Sequence, residues 1–86
     1  MDPYELAQRT YALSEHYRTR LNTTAHRHVD LSVNVGEWDE ALAILVAALR
    51  NAHTPITTEE RQELTDLMTA LEMPTSHLNE IPASDK

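Results

Sequence analysis

Five histidines (His16, His26, His28, His53 and His77), fourteen carboxylates, three tyrosines and no cysteine are the chemistry-bearing side chains of this 86-residue chain. His26-x-His28 could hold a metal ion if a third ligand such as His53 came close, because neutral imidazole is a common metal ligand. On a helix, however, residues i and i+2 point apart, so the spacing argues against a zinc site. Without cysteine, neither a thiolate centre nor a disulfide framework can form. No Ser, Thr or Asp stands in a nucleophile elbow, and one glycine cannot build a phosphate-cradling loop. Each carboxylate has a simpler use in helix capping or solvation. So short a chain rarely encloses a pocket of the size small ligands need. These residues predict no enzyme, no metal, no cofactor and no small-molecule substrate. Recognition of another protein is the chemistry that remains.

Charge narrows the partner. Residues 1–28 carry four Lys/Arg against three Asp/Glu, whereas residues 29–86 carry three against eleven, for a formal net charge of −7. A surface of that sign repels phosphate backbones and excludes nucleic acid as a partner; Arg18, Arg20 and Arg27 are too few to support a DNA-binding helix-turn-helix. It attracts basic partners and speeds encounter with them. The longest apolar run, residues 41–49, is far shorter than the ~20 residues that span a bilayer. The start "MDPYELAQRT" lacks the basic-then-apolar order of a signal peptide. A cytoplasmic location without membrane contact is expected.

The elements that position these residues read as helices. Asp2, Pro3 and Glu5 form a helix start, and the following residues, to about Thr23, make a one-sided amphipathic helix with Tyr4, Leu6, Ala7, Tyr11, Leu13, Ser14, Tyr17 and Leu21 on its inner half. Tyr4, Tyr11 and Tyr17 are expected at the core edge, ring inside and hydroxyl wet. Val29, Leu31, Val33 and Val35 alternate like a strand, but a lone strand has nothing to pair with. A short helix capped by Asp30 and stopped by Gly36 is the preferred reading of residues 24–36. Glu37, Asp39 and Glu40 then open a helix that is apolar on nearly every side and is therefore central. Thr57 and Glu60 predict a capping box for a last helix with Leu64, Leu67, Met68 and Leu71 inside and Glu59, Glu63 and Asp66 outside. Met73-Pro74 ends it. The expectation is an all-α fold: a small antiparallel bundle of three to four helices around a central hydrophobic helix. Residues 1–75 form its one domain, and 76–86 form a tail with an anchoring turn through Leu78 and Ile81.

Eight residues are candidates for partner binding. Glu37, Asp39, Glu40, Glu59, Glu63 and Asp66 are the acidic recognition groups. Ile44, beside Glu37, Glu40 and Asn51, is an apolar point ringed by acids. Trp38 is either an anchor for the partner or, from its place in the inner stripe, a core residue closing the helix junction.

The stretches "VGEWDEALAILVAAL" and "TPITTEERQELTDLMTALEM", residues 35–49 and 54–73, resemble the Maf-type immunity proteins of bacterial polymorphic toxin systems. That family carries a Gly-Glu-aromatic step into an Ala-Leu-rich helix, then a short loop and a capped Thr/Ser-x-Glu-Glu helix. The matching residues are Gly36, Glu37, Trp38, Ala41, Leu42, Leu45, Leu49, Ile56, Thr57, Glu59, Glu60, Leu64, Leu67 and Met73. "VDLSVNV", before the glycine, departs from the pattern, where a more regular helix is expected. The resemblance implies a small helical protein that binds a cognate toxin domain and blocks it, and it supplies no set of contact residues. A self-associating helical module, burying its apolar excess as a homodimer without a toxin partner, is the alternative.

Overall fold

The computed structural model describes residues 1–84, and they form four helices with no strand among them. The first, α1 (Pro3–His16), starts as its sequence predicts: the Asp2 carboxylate accepts from the Glu5 amide at 2.8 Å. It does not reach Thr23. The chain turns at Tyr17, makes a 3₁₀ turn over Arg18–Arg20 and restarts as α2 (Thr23–Asn34). Asn22 is the cause, because its extended backbone and side chain, accepting from the Ala25 amide at 2.8 Å, supply a helix start well before Asp30.

The strand-like alternation resolves at helical spacing. Val29 and Val33, one turn apart, are buried at 2% and 6% exposure, while Leu31 and Val35 face solvent. Gly36 stops α2 as anticipated, at φ 78°, with its own amide on the Val33 carbonyl and the Glu37 amide on that of Ser32. The two remaining helices, α3 (Trp38–Asn51) and α4 (Thr58–Ala70), end in the same motif with His53 and Glu72 in the left-handed region, at φ 52° and 58°. Neither residue favours that conformation. His53→Gly and Glu72→Gly should therefore each raise stability by about 0.5–1 kcal/mol in denaturant titration. A loss in both would contradict the loop geometry described here.

The Thr57–Glu60 capping box is present in full. Helix α3 is central, touching α1, α2, α4 and the C-terminal 3₁₀ turn at Ser76–Glu80. Leu42, Leu45 and Leu49 are its deepest side chains. It is not covered all round, since Ala43 is exposed and Ile44, Ala47 and Ala48 are half-buried. Helix α1 runs antiparallel to both α2 and α4: Ser14 meets His26 and Asp30, while Arg9 meets Glu63 and His16 meets Glu60.

Leu78 and Ile81 anchor the C-terminal segment in the core. Beyond them the chain stays docked. Ile56 donates to the Pro82 carbonyl at 3.0 Å and accepts from the Ser84 amide at 2.8 Å, forming a single parallel bridge with Ala83. Arg61 donates to the carbonyls of Leu78 and Ile81. The end of the expected tail, residues 85–86, lies outside the described residues.

The tyrosines do not share the core-edge position expected of them. Tyr17 is wholly buried, whereas Tyr4 is 73% and Tyr11 58% exposed. The Tyr17 hydroxyl, just past the end of α1, and the buried Thr10 hydroxyl within it have no hydrogen-bond partner among the described residues. Burial pushes the phenol up to about 12, helped by the nearby Glu60 charge, so it stays neutral. Because an unpaired buried hydroxyl costs free energy, Tyr17→Phe and Thr10→Val should be neutral or stabilising by up to about 1 kcal/mol. Destabilisation by both, measured in urea, would mean that the hydroxyls are paired.

Candidate functional site

Two grooves flank α1 on opposite sides; of the sequence-predicted residues Trp38 lines one and Glu59 and Glu63 line the other, while Glu37, Asp39, Glu40, Ile44 and Asp66 line neither. On the α2–α3 side, a groove of about 450 Å³ is lined by Tyr4, Ala7, Gln8 and Tyr11 from one wall and Val33, Asn34, Gly36 and Trp38 from the other. Helical spacing puts the first four side chains on one face. The Gly36 turn brings Trp38 back towards them. Three of the chain's four aromatic residues thus line one groove, leaving Tyr17 as the only aromatic side chain buried at the centre. No charged side chain lines it.

Carboxylates stand next to the Trp38 end. Glu37 and Glu40 are exposed and have no side-chain partner among the described residues, and Asp39 accepts only from the Glu40 amide, at 2.9 Å. Trp38 itself is half-buried against the core, so it both closes the helix junction and offers an edge to the groove. Ile44 is half-buried against the core. Tyr4 and Tyr11 are the residues that sequence reasoning missed. Their spacing of seven placed them correctly on one face, but which flank α2 leaves open depends on the packing angle.

On the α4 side, a groove of about 360 Å³ runs over Ala12, Leu13 and Tyr17, with Arg9, His16, Glu59, Glu60 and Glu63 along its edges. The expected acidic stripe is largely matched here by the chain's own cations. Arg9 grips Glu63 through two nitrogens, reaches Glu5 at 3.1 Å and lies 3.7 Å from Asp66. Arg20 pairs with Glu60 and stacks its guanidinium 4.6 Å over the Tyr17 ring, while His16 approaches the same carboxylate at 2.7 Å. The Arg20 bond, with help from the Thr57 amide and His16, pulls the Glu60 carboxyl down to about 2. Glu59 is the one charged side chain lining this groove that has no partner among the described residues.

One trio resembles catalytic machinery without its geometry. Ser14 lies 3.4 Å from His26 and donates to Asp30 at 3.0 Å. The Ser14 hydroxyl proton is therefore committed to the carboxylate, and the His26 Nε2 also meets the Ser14 carbonyl at 3.1 Å. Ser14 is buried and none of the three lines either groove. The trio fastens α1 to α2. No group of three or more His, Asp or Glu among the described residues could hold a metal ion, and no helix among them is long and apolar enough to cross a membrane.

The chain matches no family model, no curated protein and no solved structure.

Proposed function

We propose that the protein is an immunity-type inhibitor that binds a basic toxin domain in the cytoplasm of the producing cell and covers its active site. The observation that carries this reading is the groove of Tyr4, Tyr11 and Trp38 with the exposed carboxylates of Glu37, Asp39 and Glu40, none held by a cation among the described residues, next to Trp38 in the sequence. Aromatic residues dominate binding energy at protein interfaces, and free carboxylates steer a cationic partner and set its orientation. Gly36 and Trp38 of the Gly36-Glu37-Trp38 step, which carries the resemblance to Maf-type immunity proteins, line the same groove. A toxin acting on nucleic acid or another anionic substrate presents a basic cleft that such a surface fits.

The test is co-expression and co-purification with the toxin domain encoded beside the protein's own gene. A tight one-to-one complex with loss of toxicity is expected, and absence of both overturns the reading. Within the complex, Tyr11→Ala should weaken affinity about tenfold or more with almost no change in melting temperature, because the ring is already in water. Glu37→Lys with Glu40→Lys should slow association markedly at low salt and little at high salt.

Self-association is the second reading, favoured by a mainly apolar depression of about 300 Å³ in which Ala43, Val46 and Ala47 of α3 face Met73 and Pro74, with Arg50 and His77 also in its lining. Sedimentation over a range of concentrations separates the two, since only self-association raises the mass of the protein alone.

A further inference from the structure

The α1–α4 groove already contains chemistry that identifies a class of ligand. One guanidinium group of the chain itself, from Arg9, lines it on Glu63 of α4, and a second, from Arg20 outside the lining, pairs with Glu60 and stacks on Tyr17. The apolar part of the lining is the exposed Ala12 with the buried Leu13 and Tyr17 beneath it. Glu59 stands at the rim with an unpaired carboxylate. Aliphatic floor and free anion together suit a side chain with an apolar stem and a cationic tip.

We infer that this groove is a second recognition subsite, which takes an arginine side chain of the partner with its stem on Ala12 and Leu13 and its guanidinium at Glu59. As a contact to a toxin it rests on the function proposed above. As a guanidinium site it stands on this groove alone. Helix α1 would then be held on both flanks, by the aromatic groove on one side and the arginine subsite on the other.

The probe is agmatine, an arginine side chain without its carboxylate, titrated into the ¹⁵N-labelled protein and followed by NMR. Saturable shifts confined to Ala12, Leu13, Tyr17 and Glu59 are expected. Glu59→Gln, an exposed substitution that leaves the core untouched, should weaken them about two- to fivefold, as befits one exposed ion pair. N-butylurea, the neutral analogue, should give no such pattern. Shifts that are absent, scattered over all acidic residues, unchanged in Glu59→Gln or equalled by the urea overturn the inference. If agmatine binds as described while the neighbouring toxin does not, the toxin pairing falls and the guanidinium site stands. If the toxin binds with unchanged affinity in Glu59→Gln, the subsite is not part of that interface and this inference fails alone.

Discussion

Leu49→Ala should cost about 3–4 kcal/mol, roughly half of the stability of a domain this size. Leu49 is fully buried in α3, the helix that touches α1, α2, α4 and the C-terminal turn, so its truncation leaves a void at the centre of the core. Its backbone carbonyl also accepts the Thr54 amide that closes the helix, holding the main chain in place around the missing atoms. The melting temperature should fall by about 15–25 °C. Leu31→Ala makes the control. That leucine lies in α2 but is 58% exposed, and its truncation should change stability by less than about 0.5 kcal/mol. Similar losses for both leucines in urea titration would sink the placement of α3 at the centre.

Acid should remove a second large contribution, through Glu60. Its carboxyl lies near 2 in the folded protein against an ordinary value of 4.5, so the ionised form is favoured by folding. The corresponding stability is fully present above about pH 4.5 and is lost progressively as the pH falls towards 2. The three contacts that cause it, from Arg20, the Thr57 amide and His16, join the 3₁₀ turn and α1 to the start of α4. A loss of about 2–3 kcal/mol across that interval is expected, since the carboxylate is mostly shielded from water. Glu60→Gln keeps the hydrogen-bonding shape of the capping box but not the charge. It should be less stable at neutral pH and should flatten the acid limb of the stability curve. A Glu60→Gln curve that remains parallel to wild type from pH 5 to 2 would reject this assignment.

Helix starts with a side-chain cap and a positional partner were legible without coordinates: Asp2 before Pro3, and Thr57 with Glu60. So was the Gly36 stop, because one residue type dominates the left-handed position. The endings at His53 and Glu72 were not, since nothing in those residue types announces that conformation. The overrun of α1 has a similar origin. Apolar periodicity continues through Tyr17 and Leu21, and only the competing cap at Asn22 breaks it. In α2, two pairs spaced four apart, Val29 with Val33 and Leu31 with Val35, interleave into an alternation that imitates a strand.

The site divides along the same line. Which carboxylates remain unpaired depends on which helices meet, and the contact between Arg9 and Glu63 spans 54 positions in the chain. Charge counting therefore named Glu37, Asp39, Glu40 and Glu59, which are open, together with Glu63 and Asp66, which are shared with an arginine. Tyr4 and Tyr11 read as core-edge residues because an aromatic residue on an inner half-circle looks the same in sequence whether or not a neighbour covers it.

Synthesis on the ribosome proceeds from the amino end, so the strap through Leu78, Ile81 and Ala83 is made after all four helices. Until it emerges, α3 and the α3–α4 loop present uncovered apolar flanks to the crowded cell. Final closure of the fold therefore waits on that strap, because it supplies the backbone partners of Ile56.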